Sequence, residues 1–233
     1  MEKKKISKRT EIPQEYVAGQ ATFMGLTLFC TQDTLIPREE TELLTRVALE
    51  YIHNREESNE ELTIIDMGTG SGNICVALAL NSDHTQILAS DLSPSAIEIA
   101  KKNARKYKVE DRISFFCGDF FTPFQEKKFQ EKVDVVVCNP PYIPTGSLSK
   151  MDPVIIEFEP TLALDAGVYG IDFFRRLIND ALGVLRSKGI LVFEIGEGQE
   201  KLVTRLITRN KGYGDIKYYD DGEHIRVIYT EKN

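Results

Sequence analysis

The sequence predicts an α/β domain: an open, mostly parallel sheet of seven strands with helices on both faces. Three observations predict it. Short apolar runs alternate with amphipathic stretches from residue 62 to residue 209, and alternation of that length builds parallel strand–helix–strand units. A glycine-rich turn, Gly68-Thr69-Gly70-Ser71-Gly72, follows the first run. The run at 132–138 carries Val133, Val135, Val136 and Val137, as expected for a strand covered on both faces.

In chain order, residues 1–15 are polar and basic and read as a tail. Between 16 and 35, Gly19 and Gly25 flank alternating apolar positions (Ala21, Phe23; Leu26, Leu28), which predicts a small β-hairpin. Pro37 precedes a helix over 39–52, whose Leu43, Leu44, Val47, Ala48, Tyr51 and Ile52 share one face. The polar stretch 53–61 breaks that pattern. The chain therefore divides into a tail (1–15), a hairpin and lead-in helix (16–52) and a main domain (53–233).

Within the main domain, strands are expected at 62–67, 86–90, 113–117, 132–138 and 190–195. Helices are expected at 74–80, 94–107, 171–186 and 199–209, and a closing β-pair at 216–219 and 225–229. Ser93 suits the N-cap of the second helix and Pro94 its first turn. Residues 143–153, with Gly146 and several hydroxyl side chains, read as a loop covering the substrate side. There are no internal repeats.

Composition narrows the function. The chain has 233 residues, 42% hydrophobic and 28% charged, enough apolar mass for a core. No run approaches the roughly 18 apolar residues of a membrane span, so a cytoplasmic protein without membrane contact is expected. A net charge of −7 argues against a broad phosphate-gripping surface. Cys30, Cys75, Cys117 and Cys138 form no CxxC pair and the three histidines are dispersed, so neither a disulfide framework nor a metal is expected. Cys138 reads as a small buried strand residue. The sequence gives no indication of oligomeric state.

Three strand ends carry candidate binding residues. A dinucleotide fingerprint would place glycines at 68, 70 and 73, but position 73 is Asn and the third glycine is Gly72. That spacing suits a bend whose backbone approaches a ligand without a phosphate. Asp66, just upstream, is placed to orient the loop or meet a cationic group. Asp91 at the tip of the second strand is placed to accept two ribose hydroxyls. Asp119-Phe120, after the third, offers an acid for an adenine amino group and a ring to cover it. A tight turn alone would explain the glycines but not the acids beyond them.

The fourth strand runs into Asn139-Pro140-Pro141-Tyr142. Two prolines fix the backbone and remove two amide donors. The Asn139 side-chain oxygen and the Pro140 carbonyl can then accept from one planar NH2 group, with Tyr142 stacking on it. An amide or aromatic amine nitrogen is a poor nucleophile, and two fixed acceptors stabilise the charge it develops on attack. The plainer reading is a strand-ending turn with a buried tyrosine.

Together the three strand ends resemble the site of Rossmann-like class I S-adenosylmethionine-dependent methyltransferases. Asp66 to Gly72, Asp91, Asn139-Pro140-Pro141-Tyr142-Ile143, residues 158–164 (FEPTLAL) and residues 35–42 (LIPREETE) resemble the HemK/PrmC protein-(glutamine-N5) methyltransferases. The resemblance covers roughly residues 12–230. It implies S-adenosyl-L-methionine as methyl donor, S-adenosyl-L-homocysteine as product, and no metal. It also implies cofactor contacts at Asp66, Gly68, Thr69, Gly70, Ser71, Gly72, Asp91, Asp119, Phe120 and Asn139. Catalysis is implied at Asn139, Pro140 and Tyr142, with Pro141 beside them against the substrate. The implied substrate is a glutamine in a protein, a peptide-chain release factor.

Two features depart from that family's pattern. Only about a dozen polar residues precede the matching region, where relatives usually carry a helical domain. Ala166-Gly167-Val168-Tyr169-Gly170 also stands where the pattern favours Gly-Gly-x-Asp-Gly. Adenine-N6 methylation of DNA or RNA, methylation of another protein or a small molecule, and a non-catalytic scaffold remain open alternatives. The net charge disfavours nucleic acid. Pro37-Arg38-Glu39 reads either as closing the pocket or as helix capping.

Overall fold

A central sheet of seven strands organises the chain in the computed structural model, which describes residues 11–56, 60–143, 145–149, 151–164, 167 and 171–233. The predicted tail thus lies largely outside the described residues. A short helix, α1 (Gln14–Ala18), leads into a hairpin of β1 (Gln20–Phe23) and β2 (Leu26–Phe29), and then into α2 (Glu39–Glu56). There follow β3 (Leu62–Met67), α3 (Asn73–Leu80), β4 (Thr85–Asp91), α4 (Pro94–Tyr107), β5 (Ile113–Cys117) and β6 (Val133–Cys138). Beyond these lie α5 (Thr145–Leu148), α6 (Pro153–Phe158), α7 (Asp172–Val184), β7 (Leu185–Glu194), α8 (Glu200–Arg209), β8 (Tyr213–Asp220) and β9 (Ile225–Lys232).

The sheet order is β5-β4-β3-β6-β7-β9-β8. The first five strands run parallel, and β9 pairs antiparallel with both β7 and β8. Between β3 and β6 the winding direction reverses, and open α/β sheets bind ligands at the carboxyl ends flanking such a reversal. This is the expected seven-stranded Rossmann-like sheet, preceded by the expected hairpin.

Alternate residues of the central strands feed two separate cores, which is why those strands are apolar throughout. Ile64, Ile87, Val135, Val137, Ile190 and Val192 face α2, α3 and the hairpin residues Phe23 and Leu28. Ile65, Met67, Val136, Cys138, Leu191 and Phe193 face α7, α8 and a group of phenylalanines around Phe120. α7 buries Phe174, Leu177, Ile178, Ala181 and Val184, a stripe at helical spacing. α3 buries Ile74 to Ala79 without a polar face, because it lies between α2 and α4. At the amino end of the sheet, Arg186 pairs with buried Asp134, whose other oxygen accepts from Thr63 N at 2.8 Å.

Several stretches differ from the sequence expectation: α1 straddles the boundary expected between tail and hairpin, α2 runs on to Glu56 rather than 52, and two more lie later in the chain. Residues 143–153 contain α5 and the start of α6, with Asp152 accepting from Val154 N at the cap. The helix expected to reach 186 ends at Val184, because Leu185 already pairs with Val133. Here β7 slips against β6 between Val133 and Val135, and Gly189 sits at the slip. A Cβ on Gly189 would lie 2.9 Å from Val133 O and 3.0 Å from Arg186 O, both backbone atoms that cannot turn aside. Gly189→Ala is expected to lower the unfolding free energy by about 1–3 kcal/mol. Denaturant titration checks this, and a curve overlying the parent's would contradict it.

Candidate active site

The carboxyl ends of β3, β4 and β6 open onto a cavity of about 330 Å³, within the roughly 300–1,000 Å³ usual for small-molecule pockets. Its floor is the glycine loop, where Gly68, Thr69, Gly70 and Ser71 line it. Asp91, Asp119, Phe120, Asn139 and Pro141 line its sides, and residues 32–38 form a facing wall. The other sequence-derived site residues, Asp66, Gly72, Pro140 and Tyr142, lie outside the lining and support it.

Asp66 is fully buried beneath the loop. Its Oδ2 accepts from Thr69 Oγ1 at 2.6 Å and from Cys75 N at 3.1 Å. Of the two roles considered for it, the position fits loop orientation, since no cationic ligand group can reach it there. Gly72 caps α3 at φ +79°, and a Cβ on it would come within 3.0 Å of Ala100. Its missing side chain thus serves the approach of the loop to α4 rather than an approach to ligand.

Asp91 uses both oxygens to fix backbone. Oδ2 accepts from Gly70 N and Oδ1 from Ser93 N, each at 2.9 Å. The Leu92 N–H also reaches the carboxylate; of its about four lone-pair positions, at least one remains for a ligand hydroxyl. Asp119 pairs with Arg176 at 2.8 Å, and both side chains are about half exposed at the rim. Phe120, at φ +55°, turns its ring inward against Phe173, edge to face with centroids 4.6 Å apart. The Arg176 guanidinium lies over the Phe120 ring, 4.7 Å from its centroid.

At the end of β6, Asn139 Nδ2 donates to Thr41 Oγ1 at 2.8 Å, and Thr41 Oγ1 donates to Glu194 Oε2 at 2.7 Å. Pro140 is buried and Pro141 half-buried. The Tyr142 hydroxyl hydrogen-bonds the same Glu194 carboxylate, and its carbonyl accepts from Gln199 Nε2 at 2.8 Å. The Tyr142 ring also abuts Gly196. Burial pushes the Glu194 carboxyl up to about 7, while hydrogen bonds from Thr41 and Tyr142 oppose the rise. Burial, the Glu194 charge and the bond to it also raise the Tyr142 phenol well above its ordinary range.

Asn103 was not singled out in the sequence, whereas Arg38 was, and of its two readings the cavity lining fits closure of the pocket. Asn103, fully buried on α4, joins hairpin to loop: its Nδ2 donates to Phe29 O at 2.9 Å and to Ser71 O at 2.8 Å, and its Oδ1 accepts from Phe29 N at 2.7 Å. Arg38 lines the cavity and pairs with buried Glu159 of the FEPTLAL segment, tying the facing wall to it. The Tyr16 hydroxyl donates to Thr34 O at 2.8 Å behind that wall. Phe173 and Glu194 had no local motif, and Thr41 stood within residues 35–42 (LIPREETE) with no role assigned to it. The signal for Glu194 was a lone acid closing the apolar run 190–195.

One buried polar atom bears on what the cavity holds. Ser71 Oγ, on the loop lining it, has no hydrogen-bond partner among the described residues. Such atoms are ordinarily satisfied by ligand or water. With carboxylates at Asp91 and Asp119 and apolar rings at Phe120 and Phe173, the lining fits a ligand carrying hydroxyls, an amino group and a flat ring. Among the described residues, no group of three or more His, Cys, Asp or Glu is placed to hold a metal. Nor is any helix among them long and apolar enough to cross a membrane.

Burial raises the Asp66 pKa from an ordinary 3.8 to about 6, against the hydrogen bonds from Thr69 and Cys75 that lower it. A carboxyl with a raised folded-state pKa contributes stability below its unfolded value and loses it as pH rises through the folded value. Between pH 3 and 7 the protein is therefore expected to lose about 3 kcal/mol relative to Asp66→Asn, which keeps the accepted bonds without the charge. Unfolding curves at a series of pH values measure the difference. Parallel pH dependences of the two proteins would contradict it.

Comparison with known proteins accords with this geometry. Residues 58–155 match the model of a methyltransferase domain. The chain is 39% identical over 221 residues to a release factor glutamine methyltransferase of Bacillus cereus, covering 94% of this chain and 76% of that one. A protein of the same description from Moorella thermoacetica is 40% identical over 194 residues, 83% of this chain and 65% of its own. The fold is shared with the N-terminal domain of human METTL16 solved in complex with SAH, at a TM-score of 0.63 and 18% identity, covering 89% of this chain and 76% of that one. This chain belongs to the family of release factor glutamine methyltransferases.

Proposed function

We propose that this protein transfers a methyl group from S-adenosyl-L-methionine to the side-chain amide nitrogen of a glutamine, the substrate being a peptide-chain release factor. Family membership supports the reaction, and the names of the relatives support the substrate. The single observation that carries the chemistry is Asn139. It closes β6 in the cavity wall beside the glycine loop, with its Nδ2 already engaged by Thr41.

When bound, the cofactor supplies an electrophilic methyl carbon on a positively charged sulfur. Gly68 to Ser71 hold it along the loop, Asp91 accepts its ribose hydroxyls, and Asp119 and Phe120 flank its base. Asn139 Oδ1 and the Pro140 carbonyl accept the two hydrogens of the substrate NH2. That pairing fixes the nitrogen and stabilises the positive charge it develops on attack. The methylated nitrogen then gives up one of its two protons to water, the donor's sulfur having departed as the neutral thioether. Pro141 fills the wall beside the substrate, and Tyr142 holds the corner rigid through Glu194 and Gln199.

Labelled methyl donor offered together with purified release factors, nucleic acid and cell extract tests the substrate, with the label mapped by mass spectrometry. Label on a release-factor glutamine is expected; label on nucleic acid alone would overturn the reading. Asn139→Ala is expected to lower turnover by about 100-fold or more, the scale of removing one fixed hydrogen-bonding group from a charge-stabilising site. Turnover equal to the parent's would remove Asn139 from the chemistry.

A further inference from the structure

An asparagine side chain is nearly symmetric in shape, and only its hydrogen bonds decide whether oxygen or nitrogen faces a given neighbour. For Asn139 this choice is consequential. Its oxygen can accept from a substrate NH2, whereas its own NH2 presented to that group would set donor against donor. The side chain lines the cavity on one side and meets Thr41 on the other.

Behind Thr41 stands Glu194, almost completely buried at the end of β7. Above its raised pKa of about 7, Glu194 is a carboxylate and only accepts; protonated, it could donate. The single Thr41 hydroxyl proton therefore goes to Glu194 Oε2, at 2.7 Å. Thr41 Oγ1 is left with lone pairs alone toward Asn139, so the atom facing it at 2.8 Å must be the donor Nδ2. Were residue 194 able to donate, the hydroxyl could turn and give its proton to Asn139 Oδ1, and the amide would settle the other way round.

We infer that Thr41 and Glu194 are positioning residues, a two-step relay that, while Glu194 is ionised, turns the Asn139 carbonyl oxygen toward the methyl acceptor. The inference rests on the reading above in one respect: the acceptor presents an NH2 group. Glu194 orients the other half of the same corner through the Tyr142 hydroxyl. One carboxylate thus sets both ends of Asn139-Pro140-Pro141-Tyr142. The relay also explains a costly feature, since a carboxylate enclosed in an otherwise apolar strand end is expensive to bury unless several donors reach it.

The test compares Thr41→Val, which keeps the shape but offers no acceptor, with Thr41→Ser, which restores the hydroxyl, and with Glu194→Gln, which lets residue 194 donate. Two quantities are read. One is the Asn139 side-chain NH2 resonance pair in nitrogen-15 spectra of the full chain, assigned by its disappearance in Asn139→Asp. The other is turnover with the methyl donor and a glutamine peptide. In Thr41→Val the NH2 protons are expected to lose their hydrogen-bonded shift and exchange faster. The kcat should fall at least tenfold while KM for the methyl donor changes less than threefold.

Thr41→Ser is expected to recover both signatures, and Glu194→Gln to lower kcat at least fivefold. An unshifted NH2 pair in Thr41→Val, a kcat there equal to the parent's, or a loss that Thr41→Ser does not repair overturns the relay. If Thr41→Val does not fold, Glu194→Gln decides by the same two readouts. A parent protein that methylates no glutamine overturns the substrate reading instead, and the NH2 resonances still decide the relay.

Discussion

Two carboxylates buried at the ends of core strands draw donors to themselves, and the arrangement of the site follows from how this chain supplies them, with Asp66 Oδ1 left without one among the described residues. Asp66 at the end of β3 draws in Thr69 Oγ1 and Cys75 N, which bends the glycine loop back over the strand. Glu194 at the end of β7 draws in Thr41 from α2 and the Tyr142 hydroxyl from beyond β6. One acid thereby shapes the cofactor floor and the other the acceptor corner. Both sit where dielectric screening is weakest, so their hydrogen bonds are strong while made and costly to lose. The same enclosure raises both pKa values, to about 6 for Asp66 and about 7 for Glu194.

The cavity is assembled from pieces far apart in the chain. Its facing wall, residues 32–38, precedes the sheet altogether and is held directly by two ties, with a third on the adjoining β2. Arg38 pairs with Glu159, Tyr16 anchors Thr34, and Asn103 binds the β2 backbone while also holding the loop at Ser71. Asn103 mimics a neighbouring strand, offering donor and acceptor to Phe29 at once. The hairpin and lead-in helix therefore contribute directly to the pocket, and they share a core with the sheet through Phe23, Leu28 and Leu44.

How much of this was legible in the sequence depended on whether the signal was local. The strands at 62–67 and 113–117 were readable to the residue because their apolar runs are bounded by polar turns. The α4 start was readable from Ser93-Pro94, and Ser93 Oγ accepts from Ala96 N at the cap. α5 and α6 were missed because helices of four and six residues are too short to show periodicity, although Asp152-Pro153 carries the same capping signature. Within the site, the glycine loop, Asp91 and Asn139 were visible because each lies at a strand end recognisable in its own neighbourhood. Phe173, Arg176 and Glu194 were not, since only the folded topology brings them there: Arg176 meets Asp119 across 57 positions. Tyr142 was visible as a residue but not in its posture, because that is set by an acid more than fifty positions away.

The central claim is geometric: the rigid corner presents two oxygens, from Asn139 and Pro140, to one amide nitrogen beside the cofactor cavity. A crystal structure of the protein with S-adenosyl-L-homocysteine and a glutamine-containing release-factor peptide tests it most directly. The account predicts the glutamine side-chain nitrogen about 3 Å from both oxygens, with the sulfur of the thioether on its open side. A glutamine bound elsewhere, or an Asn139 amide presenting its nitrogen to the substrate, would contradict it.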